Sequence, residues 1–319
     1  MASFLSTNAL IASTKNRAMI PENQSTFKTA DFLRFLNEEM VNALVPSVMR
    51  VHEDYYLQDS DIALVANKSN YPIPHRAIGN KLRDISYIDV NNNIYEMTRI
   101  SVGDVSAYQG SYSSGQMRTF YIRGNEVIIV PSVGATVTGS LRFTYYFRPN
   151  QLVEETRSGT ITAINTTTGT VTLNQVPNNF STSILYDFVE LGSPHKILAY
   201  DLVGTSVNTV TKTVTFDPSD LPSDLEVGDM LLQAEETIIP QLPSELHSVL
   251  AHRAGIRCLE AMGDSEGVKN AMTKLQEMEI NLLTLIDDRV EEAPKKAVNR
   301  QGTLRSAVFS KAFSRNRGI

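Results

Sequence analysis

Residues 242–289 read LPSELHSVLAHRAGIRCLEAMGDSEGVKNAMTKLQEMEINLLTLIDDR, and this stretch decides the fold. Apolar residues recur every three or four positions in both of its halves, which is the spacing of one face of an α-helix. Between the halves, Gly263 suits the left-handed conformation that ends a helix, and Asp264 or Ser265 can cap the next one. The stretch therefore predicts two consecutive helices built for packing.

The first helix of this pair has more apolar surface than one neighbour can cover. Its main face runs from Leu246 to Ala261, and a second group of apolar residues lies beside that face and widens it. This second group consists of Ile256, Leu259 and Met262. Because the next copy in a cyclic assembly can bury such a surface, we predict a subunit interface at these three residues.

Another helix is predicted near the N-terminus, over residues 26–50. Phe32 and Leu36 belong to its apolar face, Thr29 can act as its cap, and Pro46 is expected to kink or end it. Together with the C-terminal pair, this helix predicts a helical bundle core.

Between the helical segments the pattern changes to an alternation of apolar and polar residues, which is typical of half-buried strands. Gly124-Asn125 stands between two strand-like runs and predicts a tight hairpin turn. The segment Tyr71–Pro74 contains two prolines, so we expect it at the edge of a sheet. The strands predicted for this meander cover residues 82–90, 94–102, 119–123, 126–130 and 139–148.

Residues 156–238 are rich in Thr, Val, Asn and Gly and have almost no helical pattern. Within them, Thr170-Val171-Thr172-Leu173 is echoed 43 residues later by Thr213-Val214-Thr215-Phe216. Two such units predict a small β-barrel or a β-sandwich with a twofold internal repeat. Since helical sequence resumes directly afterwards, we expect this segment to be inserted into the core.

The fold class that follows is α+β, with a helical bundle core, a β-meander, an inserted all-β domain and an extended C-terminal tail. A length of 319 residues also exceeds the usual size of one domain. We predict an N-terminal part of the core, the inserted domain, the helix pair that completes the core, and a basic arm. Their boundaries are 1–155, 156–238, 239–292 and 293–319.

Charge is distributed unevenly along the chain. There are 29 basic and 35 acidic residues, yet residues 293–319 hold seven basic residues and no acidic one. A charged end of this kind is typical of an interaction tail. It could dock on a partner protein, with Phe309 and Phe313 as apolar anchors, or contact the phosphates of a nucleic acid.

The residue types that carry catalysis do not form a recognisable pattern. His247 and His252 are five positions apart on a helix, so they do not share a face as a pair of metal ligands would. No Gly-rich phosphate loop or nucleophile motif is found. Turn and cap chemistry explains the paired carboxylates Asp59/Asp61 and Asp217/Asp220. We therefore expect no enzymatic activity, no cofactor and no metal site.

The single cysteine and the terminal sequence predict the compartment. Cys258 lies on the apolar face of a helix, where it is expected to be a small core residue in a reducing compartment. The first residues lack the pattern of a signal peptide, and no segment approaches the ~18 apolar residues of a membrane span. We expect a soluble protein without membrane association.

Several motifs follow one another in a distinctive order. They are the segment 10–21, the helix Asp31–Met40, the segment Tyr71–Gly79, the hairpin at Gly124, Val130-Pro131, the strand end Tyr145–Pro149, and the closing helix pair with its basic tail. In this order they resemble the head-to-tail adaptor proteins of tailed bacteriophages. The resemblance covers most of residues 10–155 and 240–300, whereas the β-rich insertion departs from the smaller, largely helical adaptors.

The resemblance implies a structural virion protein. Members of that family form a ring, here expected to have twelve copies, in the neck between the portal and the tail or nozzle proteins. The ring contributes to the channel through which genomic DNA passes without sequence-specific binding, and an acidic body suits such a channel because it repels phosphates. The resemblance places the protein in the virion after synthesis in the host cytoplasm.

By the same analogy, the C-terminal segment docks on the portal. The residues expected to make this contact are Lys295, Lys296, Arg300, Arg305, Phe309, Lys311, Phe313, Arg315 and Arg317. Two rival hypotheses remain open, a receptor- or glycan-binding virion module that acts through the β-domain, and an enzyme with a dispersed site.

Overall fold

The computed structural model describes residues 5–109, 119–132, 134, 138–192 and 195–286. Helix and strand each account for 31% of the chain, and the strands form several separate sheets. This arrangement fits the predicted α+β class. The helical bundle, the choice between barrel and sandwich, and the domain boundaries stay predictions.

Six α-helices lie in the described part of the chain. They are α1 (Thr7–Arg17), α2 (Thr29–Glu39), α3 (Val45–Val51), α4 (Val105–Gln109), α5 (His247–Met262) and α6 (Ser265–Ile286). Helix α5 is central, because α1, α2 and α6 all pack against it. Gly255 of α5 faces α1, next to Thr14 and Arg17.

The predicted boundary between the last two helices is confirmed. Gly263 ends α5 with a left-handed backbone at φ +77°. Asp264 then accepts a hydrogen bond from the backbone N–H of Gly267 at 2.9 Å, as a capping residue does. Local chemistry therefore sets this turn.

The predicted cap of the N-terminal helix is wrong. Thr29 is the first residue of α2, and the carboxylate of Asp31 instead accepts the backbone N–H of Lys28 at 3.0 Å. Pro46 does not end the helix, because a π-helical turn at Met40–Leu44 precedes it and α3 continues the rod. Proline has no N–H and cannot donate a hydrogen bond to the preceding helical turn. The wider π-helical turn accommodates this missing bond.

The described chain contains seventeen strands. The first eight are β1 (Leu57–Ala63), β2 (Asn70–Pro72), β3 (Ala77–Ile88), β4 (Ile94–Glu96), β5 (Thr98–Arg99), β6 (Thr119–Arg123), β7 (Glu126–Val130) and β8 (Ser140–Phe147). The others are β9 (Gln151–Leu152), β10 (Gly159–Asn165), β11 (Thr170–Leu173), β12 (Leu185–Val189), β13 (Ile197–Val203), β14 (Ser206–Asn208), β15 (Thr213–Thr215), β16 (Met230–Gln233) and β17 (Glu236–Thr237).

The first eight strands form two four-stranded sheets, ordered β1-β8-β3-β4 and β2-β7-β6-β5. The predicted hairpin is confirmed, since Arg123 pairs with Glu126 across a turn in which Gly124 has φ +62°. The segment that begins at Tyr71 is also at a sheet edge, as β2. The predicted strand 94–102 is shorter than expected and divides into β4 and β5.

The strands from β10 to β16 form one sheet, ordered β13-β12-β16-β10-β11-β15-β14. Two of its hairpins, β10–β11 and β14–β15, have equivalent turns 43 residues apart. Asn165 accepts the backbone N–H groups of Thr167 and Thr168, and Asn208 accepts those of Val210 and Thr211. These turns give the sequence repeat its structural form.

The chain enters and leaves this seven-stranded sheet side by side. Strand β9 comes just before the sheet and β17 just after it, and the two form a parallel pair. Asn37 of α2 extends the pair, because its side-chain amide exchanges two hydrogen bonds with the backbone of Leu152, at 3.0 and 2.7 Å. The pair therefore anchors the sheet on the helical layer.

Candidate assembly surface

Helix α6 lies on the outside of the helical layer. Of residues 265–281, none is fully buried. The side that packs partly against the helical core consists of Val268, Ala271, Leu275 and Met278. Away from that side, Met272 remains 46% and Ile280 70% exposed. A helix of 22 residues, roughly 33 Å long, thus keeps apolar side chains that the described chain does not cover.

The three predicted interface residues on α5 lie in two different environments. Ile256 and Leu259 are 5% and 7% exposed, so the chain itself covers them. Met262, at the end of α5, is 45% exposed. The subunit interface stays a prediction, and the part of it that is open to another molecule is Met262.

An ion cluster fixes α6 on the helical layer. The carboxylate of Glu39 in α2 is 6% exposed and accepts hydrogen bonds from two arginines of α5, Arg253 at 3.1 Å and Arg257 at 2.6 Å. Arg253 also donates to Glu279 of α6 at 2.8 Å. Hydrogen bonding to Glu39 raises the pKa of Arg257. These bonds tie α2, α5 and α6 together and so set the direction in which the exposed flank of α6 faces.

A second network joins the first sheets to the seven-stranded sheet. Arg76, just before β3, is only 2% exposed, and its guanidinium donates to both carboxylate oxygens of Asp187 at 2.8 and 2.9 Å. It also donates to Asp201 at 2.7 Å and to the side-chain oxygen of Asn150 at 3.1 Å. Asn150 in turn donates to Asp187 at 2.7 Å. Every member therefore has a partner, which a buried charge requires.

The pKa values at this junction show how the charges balance. Burial lowers the pKa of Arg76, but its hydrogen bonds and the charges of Asp201 and Asp187 outweigh burial and leave the pKa raised. For Asp187, burial is the larger effect and raises the pKa despite the nearby arginine. The junction is thus an ion pair kept out of water, as expected of a structural joint.

Two histidine rings lie against each other at the start of α5, tilted by 33°. The rings of His195 and His247 lie 5.8 Å apart. The Nδ1 atom of His247 accepts the backbone N–H of Leu5 at 3.0 Å. Burial, followed by the neighbouring His195, lowers the pKa of His247 to about 4. This histidine is therefore neutral at physiological pH and holds the N-terminal segment in place.

The other polar residues considered in the sequence have structural roles. The turn role predicted for Asp59 and Asp61 is wrong, because both lie within β1, where Asp61 pairs with Arg142 of β8 at 2.7 Å. Asp217 accepts the backbone N–H of Ser219 at 3.0 Å, as its predicted turn role requires. Cys258 is completely buried, as predicted, and burial raises the pKa of its thiol to about 11. Across the described ranges, no group of three His, Cys, Asp or Glu residues could hold a metal ion. No helix in this part of the chain is long and apolar enough to cross a bilayer.

The junction around Arg76 was not predicted from the sequence. One signal was present, because Asp187 stands in the otherwise apolar run Leu185-Tyr186-Asp187-Phe188-Val189. An acid in a fully buried strand needs a cation or several donors nearby. That signal predicts a partner but does not identify it, since Arg76 is 111 positions away along the chain.

The residues predicted to contact a portal lie outside the described part of the chain. They remain a prediction from sequence, and they are Lys295, Lys296, Arg300, Arg305, Phe309, Lys311, Phe313, Arg315 and Arg317.

Comparison with known proteins gives one family. The family model described as SU10 adaptor protein matches residues 9–194, which is more than half of the chain. The match includes α1 to α3, the first two sheets and the beginning of the seven-stranded sheet. No curated protein matches the chain.

Proposed function

The chain belongs to this family of phage head-to-tail adaptor proteins, and from that premise we propose that it forms a ring in the virion neck. The ring links the portal to the tail and contributes to the channel for genomic DNA. Its copies, twelve by analogy with the family, associate through surfaces that one chain leaves open. This role is structural and requires no catalytic site.

The observation that carries the proposal is the uncovered apolar flank of α6. Met272 and Ile280 are exposed on a helix that the Glu39–Arg253–Glu279 bonds tie to the helical layer. A fixed apolar surface is what a neighbouring subunit can bury with little loss of conformational entropy. Met262 is a further exposed apolar residue, at the end of α5. We assign the subunit contact to these three residues.

The basic arm is the proposed link to the portal. Seven basic residues and no acidic ones occupy residues 293–319, whereas the whole chain has a formal net charge of −6. A basic arm is attracted to an acidic partner, which would repel the acidic body of the chain. Phe309 and Phe313 add apolar anchors. The acidic remainder of the chain suits a channel wall, since it does not hold the phosphates of passing DNA.

The rival proposal, a glycan- or receptor-binding module, has one observation in its favour. The outward side of the four strands β10, β11, β15 and β14 is uncharged and, apart from Ala163, polar. It consists of Ala163, Asn165, Thr170, Thr172, Thr213, Thr215, Ser206 and Asn208. Hydroxyl and amide groups can bind sugars, but none of these eight residues offers the aromatic ring on which sugars commonly stack. We therefore favour the adaptor role.

Negative-stain imaging of the purified chain, mixed with the portal protein, tests the proposal. The adaptor role predicts a ring-shaped layer added to one end of the portal. A chain that stays monomeric and leaves the portal unchanged, but binds immobilised glycans, would favour the rival instead.

A further inference from the structure

The hairpin of β3 and β4 has an apolar tip that the described chain leaves uncovered. Val90 is 70% exposed, Ile94 59% and Tyr95 49%, and all three lie within six residues of one another. Large apolar side chains grouped in this way on a surface usually mark a contact with another molecule. The tip is therefore a second candidate contact surface, in addition to the flank of α6.

The turn at this tip is held in one conformation by its own hydrogen bonds. The carboxylate of Asp89 accepts the backbone N–H groups of Asn91 and Asn93, at 2.8 and 2.9 Å. Behind the turn, the rings of Tyr87 and Tyr95 stack with their centroids 5.9 Å apart. A surface that is ordered before it binds loses little conformational entropy on binding, so this tip is suited to a specific contact.

The exposed flank of α6 is one continuous side of that helix. It consists of four exposed residues that follow one another at intervals of three and four positions, which places them on the same side. They are Lys269, Met272, Gln276 and Ile280. Lys269 thus brings a positive charge to the two apolar side chains of this flank.

The hairpin carries the opposite charge next to its apolar tip. Glu96 is exposed and lies two residues beyond Ile94 in β4, so the two side chains point to the same face of the sheet. Within the described ranges, no ion pair includes Glu96 or Lys269. The hairpin therefore offers apolar side chains with a carboxylate beside them, and α6 offers apolar side chains with an ammonium group beside them, which makes the two surfaces complementary.

We propose that the hairpin tip of one copy docks on the α6 flank of the next copy, with Ile94 against Met272 and Glu96 beside Lys269. Both surfaces are exposed in the single chain, so they do not cover each other within it. A head-to-tail contact joins two different surfaces of the same chain and can close into a ring. The inference rests on the proposed ring and deepens it, because α6 by itself supplies only one half of such a contact.

Disulfide crosslinking of the full chain, assembled with the portal and oxidised with diamide, tests this contact. The variants Ile94→Cys and Met272→Cys are made separately, and the native Cys258 is completely buried. A mixture of the two variants should give covalent dimers on a non-reducing gel, whereas neither variant alone should do so, because position 94 never meets another position 94 in a head-to-tail contact. Ile280→Cys in place of Met272→Cys covers the neighbouring position of the flank.

Charge reversal gives an independent measurement of the same contact by sedimentation velocity. Glu96→Lys or Lys269→Glu alone should weaken assembly about tenfold, and the double variant should return to within about threefold of the parent. The matched control combines Glu96→Lys with Lys274→Glu. Lys274 lies on a different side of α6, so this combination should not restore assembly.

The possible outcomes separate this contact from the proposed function. Rings that form normally but give neither mixed dimers nor rescue by the double charge reversal would overturn the contact and leave the adaptor role standing. Covalent dimers from one cysteine variant alone would also overturn it, since they identify a contact between like surfaces. A parent chain that forms no ring, with or without the portal, would contradict the proposed function and this contact with it.

Discussion

Arg76 carries a permanent charge, yet its side chain is almost completely shielded from water. The arginine is held there by Asp187, Asp201 and Asn150, which all lie in parts of the chain more than 70 positions away. Its guanidinium also lies 5.8 Å from the rings of both Phe147 and Tyr200. One side chain thus joins the first sheets to the seven-stranded sheet.

Removal of this arginine should be strongly destabilising. Arg76→Met leaves the fully buried carboxylate of Asp187 without its cation, and we expect the free energy of unfolding to fall by about 3–5 kcal/mol. The control is Arg142→Met, which breaks an ion pair with Asp61 in which both side chains are about one-third or more exposed. That change should cost at most about 1 kcal/mol. Urea unfolding measures both, and similar losses would contradict a special role for Arg76.

His247 should make stability depend on pH. Its pKa is about 4 in the folded chain against 6.5 for the ordinary side chain. The unfolded chain therefore binds more protons between these values, so stability is fully present above pH 6.5 and is lost as pH falls towards 4. The loss attributable to this residue is about 3 kcal/mol.

Comparison of the parent with His247→Gln isolates this effect. The glutamine variant should show a flatter dependence of unfolding free energy on pH between 7.5 and 4.5, by urea unfolding. Equal slopes for His247→Gln and the parent would show that burial of His247 does not drive the dependence.

For single residues, the sequence predicted the environment correctly only where residues nearby in the chain determine it. The buried position of Cys258 and the turn role of Asp217 followed from local spacing, and both are confirmed. The partners of Arg76 and the contact between the rings of His195 and His247 depend on residues brought together by the fold. No local pattern contains that information.

At the scale of elements, turn chemistry was the most reliable guide. Gly263 and Gly124 adopt the left-handed backbone that their predicted turns require. Pro46 shows the limit, because the chain accommodates it with a π-helical turn instead of ending the helix. Whether a helix ends at a proline depends on the packing of both halves, and here Leu44, Val45 and Val48 all lie in the same core.

Substitutions on the exposed flank of α6 should separate assembly from stability. In the double variant Met272→Ser/Ile280→Ser, the unfolding free energy should change by no more than about 1 kcal/mol, since both side chains are exposed. Ring formation with the portal should be strongly reduced, because the variant removes the apolar surface of the proposed contact. Lys274→Ser, at an exposed position of the same helix, is the control and should assemble normally. Sedimentation velocity follows the assembly, and unimpaired rings in the double variant would remove α6 from the interface.

For the molecule as a whole, the order of elements was predictable and their three-dimensional arrangement was not. The order of helices and hairpins carried the resemblance to the phage adaptors, and the family model matches residues 9–194. The repeated β segment departs from that resemblance, and its second half lies beyond the matched residues. The pairing of β9 with β17 shows how the seven-stranded sheet is anchored, and this depends on strands of two residues each. Strands of two residues are too short to show an alternation of apolar and polar residues in the sequence.

Deletion of residues 295–319 tests the role of the basic arm. We expect the truncated chain to fold with unchanged thermal stability, because the core clusters of the described residues lie within residues 5–278. It should fail to join the portal, since the deletion removes all seven basic residues and both phenylalanines of the arm. Replacement of the seven basic residues by glutamine distinguishes charge from apolar anchoring. Normal joining by the truncated chain would refute the proposed docking arm.

Native mass spectrometry of the full chain, with and without the portal, tests the central claim most directly. The adaptor role predicts a species whose mass equals the portal plus one complete ring of copies, or a free ring in the absence of the portal. A spectrum that contains only monomer and unbound portal, at every ratio of the two proteins, would contradict it.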